Sequence, residues 1–234
     1  HQRFKRFDCA PGRFVWRIIV RRSWILCGKL IRREPEPAVL AAVAFVLMLA
    51  EGTAYDWSAL QIVEGFDTRD AVGAVAFGAF SAAMTIARFG IDPLAGRLGP
   101  VWVVRTGSAL GMVGITVAIL APEPVTAIVG WTVFGVGLAG LIPQIFTAAG
   151  NLTTSSSGRA ISAVVGCGYL GMLSGPAIVG FIAGTGGHSQ AGLVIALVLL
   201  GIGWSASTVA AIPAAMTSQK HSPSVLPHWF HTSI

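Results

Sequence analysis

Six long apolar runs constrain this chain more than any other feature of its sequence. A helix needs about 20 mostly apolar residues to cross about 30 Å of hydrocarbon. Short stretches with Gly, Pro and charged residues separate the six runs, which cover residues 38–62, 71–91, 101–121, 125–149, 160–184 and 191–213. The sequence therefore predicts an all-α, polytopic membrane protein with six transmembrane helices.

The composition excludes other broad classes of protein. Charged residues make up 11% of the chain and apolar residues 54%, whereas a soluble domain carries about 25% charged residues. The basic residues punctuate apolar runs instead of forming a patch for nucleic acid. The three cysteines (Cys9, Cys27 and Cys167) lack metal-ligand spacing and are too few for a disulfide framework. We expect the lipid bilayer as a partner, with no nucleic acid, metal or cofactor.

The distribution of basic residues predicts the orientation of the spans. Ten of the 16 Lys and Arg residues precede Glu34, and with six spans five others fall on the same side of the membrane. Arg69 alone falls on the opposite side. Because cytoplasmic loops carry the excess of Lys and Arg, this asymmetry of fifteen to one predicts a cell-membrane protein with both termini in the cytoplasm.

The chain divides into three parts by composition. Residues 1–36 are basic, 37–213 hold the six spans, and 214–234 form a predicted cytoplasmic tail. Two interpretations stay open for residues 1–36: a basic amphipathic helix on an anionic membrane surface, or an artefactual stretch without evolved structure. Since the chain begins with His and shows no signal peptide, we expect a fragment or a reading frame whose start lies upstream.

Three stretches carry a resemblance to a known family. They are AEGTAYDWSAL at 50–60, RFGIDPLAGRLGP at 88–100, and GRAISA with GYLGMLSGPAIVG between 158 and 180. In this order, on six spans, they resemble the C-terminal six-helix half of bacterial major facilitator superfamily (MFS) transporters. The resemblance covers about residues 37–213.

The second stretch resembles the signature loop between the second and third helices of each MFS half. The resemblance implies a cytoplasmic gating motif in which acidic and basic side chains form a latch, here Asp92 with Arg88 and Arg97. The sequence departs from the family at Pro93, where a basic residue is usual. The latch is then weakened, or carried by Arg88 and Arg97.

The third stretch resembles the glycine–proline motif on the fifth helix of an MFS half. Proline removes a backbone donor, and glycine lets a neighbouring helix approach closely. The resemblance assigns this helix-packing role to Gly171, Gly175, Pro176 and Gly180.

The resemblance also implies the architecture and the activity of a larger unit. An MFS transporter has two six-helix halves, each built of two inverted three-helix repeats, and moves a small solute by alternating access. This chain supplies one half. We expect the missing N-terminal six-helix half as its partner; the alternative is that two such chains pair.

Three polar residues inside the spans are candidates for binding a solute or coupling its movement to protons. Glu51 lies near the middle of the first span, and ionisable residues at that depth are costly and often functional. Asp56 lies nearer the membrane surface, about 140° around the helix from Glu51. Gln144 follows Pro143 in the fourth span. The alternative for each is a packing role, with its polar atoms satisfied by neighbouring helices.

Other functions fit the sequence less well, and we expect no enzyme. An intramembrane serine protease needs a Gly-x-Ser-Gly helix and a His on the last span. Met172-Leu173-Ser174-Gly175 lacks the first Gly, and residues 191–213 contain no His. An ATP-driven pump needs a glycine loop ending in Gly-Lys-Ser/Thr, which Gly28-Lys29-Leu30 does not supply. The remaining alternative is a non-transporting membrane scaffold or receptor-like bundle.

Overall fold

The computed structural model describes residues 35–151, 157–185 and 201, and this part of the chain is a bundle of helices without strands. Five of its helical segments are long and apolar enough to cross a membrane. The helices are α1 (Pro35–Gly65), α2 (Asp70–Leu98), α3 (Pro100–Leu120), α4 (Pro124–Leu138), α5 (Leu141–Gly150) and α6 (Ser157–Thr185).

The first five predicted spans coincide with helices of the structure. The helical spans are Pro37–Gly65, Asp70–Leu98, Pro100–Leu120, Pro124–Gly150 and Ala160–Phe181. The sixth predicted span, 191–213, lies outside the described residues except for Gly201. The basic segment before Pro35 and the tail after residue 213 also lie outside them. The prediction of an all-α membrane protein is confirmed, and the count of six helices stays a prediction.

The predicted loop around Asp92 is wrong, because α2 continues through it to Leu98 with Pro93 inside the helix. The chain turns at Gly99, whose φ of 87° is open to glycine but disfavoured for other residues. The Gly99 N–H donates to the Ala95 carbonyl, and Pro100 starts α3 at a position where a helix needs no N–H. The turn chemistry of Gly-Pro therefore decides the boundary, and the charged residues do not.

The fourth predicted span, 125–149, coincides with Pro124–Gly150 of the structure and is made of two helical segments. The helix is interrupted at Ala139 and Gly140, between α4 and α5. Pro143 has no N–H to donate to the Ala139 carbonyl, which weakens the backbone ladder at this point. Gly140 fits closely against the side chains of Val103 and Ile91, so the break is packed against α3 and α2.

Close backbone contacts through glycine hold the helices together. A Cβ on Gly171 of α6 would meet the carbonyl of Phe45 on α1, and one on Gly175 would meet the carbonyl of Leu49. Because both positions advance along the chain together, α1 and α6 run parallel, as the first and fifth of alternating spans must. In lipid, small residues at such interfaces favour association because they admit dense backbone packing.

An aromatic cluster forms the centre of the bundle. Phe80 of α2 and Trp131 of α4 are fully buried, and Phe134 is nearly so. Tyr55 of α1 lies edge-on to Phe80, with ring centroids 5.4 Å apart, and Phe80 lies edge-on to Trp131 at 6.5 Å. These ring contacts hold α1, α2 and α4 against one another.

Candidate functional site

A single acidic side chain is buried in the middle of α1. Glu51 is the fifteenth of the 29 residues in the span Pro37–Gly65, and its exposed fraction is 6%. Its carboxylate faces α2, where Arg88 Nη2 lies 3.1 Å from Glu51 Oε1. Since a lone charge at this depth would be costly, the pairing of opposite charges between two helices is what makes the pair tolerable there.

Two further side chains surround this ion pair. The Tyr55 hydroxyl, one helical turn beyond Glu51, donates to Glu51 Oε1 at 3.4 Å. Arg88 Nη2 also lies 3.6 Å from the sulfur of Met84. The two charged side chains differ in exposure: that of Glu51 is 7% exposed and that of Arg88 is 41% exposed. The guanidinium is thus the accessible half of the pair.

The three residues that the resemblance grouped as a gating motif, Arg88, Asp92 and Arg97, all lie on the C-terminal half of α2 and are exposed. Arg88 lies against Glu51, whereas Asp92 and Arg97 lie on the last turns of α2. Within the described part of the chain, the Glu51–Arg88 contact is the one ion pair. A positive charge in the last turn of a helix suits the helix dipole, which gives Arg97 a local role without a carboxylate partner.

The other two predicted site residues lie apart from the pair. Asp56 is exposed, on a different side of α1 from Glu51, and Gln144 is half-buried on α5 just past the helix break. Among the contacts of the described residues, no hydrogen bond joins either of them to Glu51 or Arg88.

The predicted packing motif lies on α6, which packs against α1 next to Glu51. Gly52 follows Glu51 and faces the backbone carbonyl of Met172, between Gly171 and Gly175 on α6. Gly180 makes an ordinary contact with the Trp57 ring, and Pro176 is accommodated within α6. Helix α6 therefore presses on one side of α1 while Glu51 faces α2 on another.

Curated proteins with related sequences identify the family. An uncharacterized MFS-type transporter of Yersinia pestis is 35% identical to this chain over 167 residues, which are 71% of the chain and 44% of that protein. The chain belongs to the MFS-type transporters. The resemblance found in the three sequence stretches is confirmed, as is the expectation of a membrane protein with several spans.

Two more relatives agree with this assignment. Membrane protein MosC of Rhizobium meliloti is 31% identical over 153 residues, or 65% of the chain and 38% of that protein. An uncharacterized transporter of Sinorhizobium fredii is 31% identical over 145 residues, or 62% of the chain and 38% of that protein. The chain thus spans less than half the length of these relatives. No protein-family model matches it.

A buried amide network near the other end of α1 was missed by the sequence reasoning. The Trp131 indole N–H donates to Gln61 Oε1 at 2.7 Å, and Gln61 Nε2 donates to the Ala118 carbonyl at 2.9 Å. Gln61 thereby joins α1 to both α3 and α4. The available signal was an amide within an apolar run, since buried amides in lipid must find partners.

The exposed surface of α2 carries a polar stripe and an apolar stripe. At 3.6 residues per turn, Thr85, Arg88 and Asp92 share one exposed side of the helix, and Phe77 is exposed on the same side nearer the start of α2. The apolar stripe, about a quarter-turn away, consists of the exposed side chains Val75, Ile86 and Phe89. Because charged groups avoid lipid, the polar stripe is the side suited to water or another protein surface, and the apolar stripe is the side suited to lipid.

Metal chemistry has no ligand set in the part of the chain that the structure describes. No group of three His, Cys, Asp or Glu side chains there is placed to hold an ion. The chemistry available at the Glu51–Arg88 pair is proton exchange at the carboxylate and hydrogen bonding to an anion at the guanidinium.

Proposed function

We propose that this chain is one half of a secondary transporter that moves a small solute across the cell membrane by alternating access. The observation that carries the proposal is the Glu51–Arg88 ion pair between two spans, with its guanidinium exposed. The names of the relatives support a transporter. We further propose that both termini are cytoplasmic and that the rest of a longer protein supplies the N-terminal six-helix half.

In this proposal, Glu51 couples the solute to protons. A buried carboxylate is costly when charged and much less so when protonated, so its protonation can bias which side of the membrane the cavity faces. Arg88 offsets the charge of Glu51 when the proton is absent. The polar stripe of α2 lines the path between the two halves, and Asp92 and Arg97 stand at its cytoplasmic end as the gate.

A labelling experiment tests alternating access without a known solute. A single cysteine replaces Thr85 on the polar stripe, in the complete transporter from which all native cysteines have been removed. We expect a membrane-impermeant thiol reagent to label this position from either side of the membrane, because a transporter opens to each side in turn. The matched control is Ile86→Cys on the apolar stripe, which lipid shields from the reagent.

The same experiment separates the transporter from a sealed scaffold. A scaffold or receptor-like bundle has no path that opens to both sides, so Thr85→Cys would be labelled from one side at most. Labelling from a single side, with normal expression of the protein in the membrane, would refute alternating access.

A further inference from the structure

Arg88 presents more hydrogen-bond donors than its partner uses. A guanidinium carries five N–H donors in a rigid fork that matches a carboxylate. Only Nη2 donates to Glu51, and it does so to one of the two carboxylate oxygens, Oε1. In the described residues, Nε and Nη1 have no hydrogen-bond partner, and the side chain is 41% exposed. Glu51 therefore uses only part of the hydrogen-bonding capacity of the Arg88 guanidinium.

We infer that the transported solute carries a carboxylate, which replaces Glu51 on Arg88. The inference rests on the proposed function. The group that already lies against Arg88 is a carboxylate, so the site has the chemistry to hold another. A solute approaching along the polar stripe meets the exposed side of the guanidinium, where two-pronged pairing is stronger than the single contact to Glu51.

The charge balance of the site favours this exchange. Before binding, the Arg88 cation pairs with the Glu51 anion. After binding, it pairs with the solute anion while Glu51 holds a proton, so the net charge of the pair is zero in both states. A charged solute can then occupy the middle of the membrane without leaving an unpaired charge there.

Few other charged groups surround the pair. Tyr55 donates to Glu51 from its own helix, and Asp92 lies one turn beyond Arg88 on α2. Helices α4 and α5 contain no titratable side chain, and α3 contributes Arg105, which is exposed. Helix α6 carries Arg159 in its first turn, the buried Cys167 and the exposed Tyr169. Glu51 is thus the competitor that a solute anion must displace.

Benzoate is a suitable probe, since it is a small carboxylate whose charge is removed in benzamide with little change of shape. Equilibrium binding of radiolabelled benzoate is measured on purified protein in nanodiscs. We expect Glu51→Gln to bind benzoate about tenfold more tightly than the unmodified protein, because the loss of one charge-assisted hydrogen bond to a competitor is worth that much. Uncharged benzamide should not compete.

The neutral double variant Glu51→Gln/Arg88→Gln guards against misfolding, because it leaves no unpaired buried charge. We expect it to show no saturable benzoate binding. The matched control Glu51→Gln/Arg105→Gln removes an exposed arginine instead and should bind as Glu51→Gln does. The inference fails if Glu51→Gln shows no saturable binding, or if the Arg88 double variant binds equally well.

This test and the labelling test fail independently. Two-sided labelling at position 85 without benzoate binding would refute the carboxylate solute and leave transport standing. Binding that depends on Arg88, combined with labelling from one side only, would refute alternating access and leave an anion site.

Discussion

Glu51 and Arg88 carry opposite charges on two adjacent spans, Glu51 at the middle of its span and Arg88 about one turn past the middle of its own. The contact brings together residues 37 positions apart in the chain. The Glu51 side chain is buried and Arg88 is half-exposed, so loss of the arginine affects the acid more than the reverse.

Arg88→Gln is expected to lower the stability of the protein, because it leaves the Glu51 carboxylate buried without its cation. We expect the free energy of unfolding to fall by about 2 kcal/mol, because a charged group loses its partner at a partly exposed site. The double variant Glu51→Gln/Arg88→Gln should regain most of that loss. Thermal unfolding in detergent measures both, and equal losses in the single and double variants would contradict the pairing.

Glu51→Gln is expected to abolish solute accumulation driven by a pH gradient in the complete transporter, while exchange of solute across the membrane persists. Glutamine imitates the protonated acid and cannot release a proton, so the coupling is lost and binding remains. Asp56→Asn should do less, because Asp56 is exposed. Normal gradient-driven accumulation by Glu51→Gln would remove the coupling role.

At this scale, the sequence identified Glu51 as costly and of interest but did not find its partner. The depth of Glu51 in the membrane follows from its position in an apolar run, which can be read from the sequence. The rotation of α2 that turns Arg88 toward Glu51 cannot be read from the sequence, and Arg88 was grouped with Asp92 through the resemblance to the MFS signature loop. Gln61 was missed for a similar reason, since its partners lie 57 and 70 residues away.

Among the helices, the interface between α1 and α6 depends on two glycines. Gly171 and Gly175 lie against backbone carbonyls of α1, which cannot move aside as a flexible side chain can. This interface also supports Gly52 and, with it, the neighbouring Glu51.

Gly171→Ala is expected to destabilise the bundle, because its Cβ would meet the Phe45 carbonyl. Over-packing of this kind costs about 1–3 kcal/mol. Gly166→Ala on the same helix is the matched control, since a Cβ there meets open space and alanine favours helix by up to about 1 kcal/mol. Thermal unfolding compares them, and similar behaviour of the two variants would contradict the close α1–α6 contact.

The helix boundaries were predicted in part. Composition located the first five spans, but the charged stretch at Asp92 was taken for a loop. The structure keeps that stretch helical and turns at Gly99, where the backbone conformation favours glycine. The break before Pro143 depends partly on the backbone donor that this proline lacks, which the sequence shows, and partly on the close packing of Gly140 against Val103 of α3, which it does not.

For the whole molecule, the alternation of spans predicts which connections share a side of the membrane. We expect Asp67→Cys and Glu123→Cys, in the α1–α2 and α3–α4 connections, to react with an impermeant thiol reagent from outside. Arg97→Cys, near the α2–α3 turn, should react from inside. These assignments follow from the basic residues expected in the cytoplasm. Reaction of Arg97→Cys from outside in intact cells would overturn the orientation.

By itself, the sequence determined that the chain crosses a membrane several times and where its first five spans lie. Span formation depends on apolar composition summed over about 20 consecutive residues, so it is a local property. Only the tertiary structure decided that Glu51 meets Arg88 and that Gln61 joins three helices. Those outcomes depend on how helices rotate and how deeply they sit against each other, which close glycine contacts and the central aromatic rings fix together.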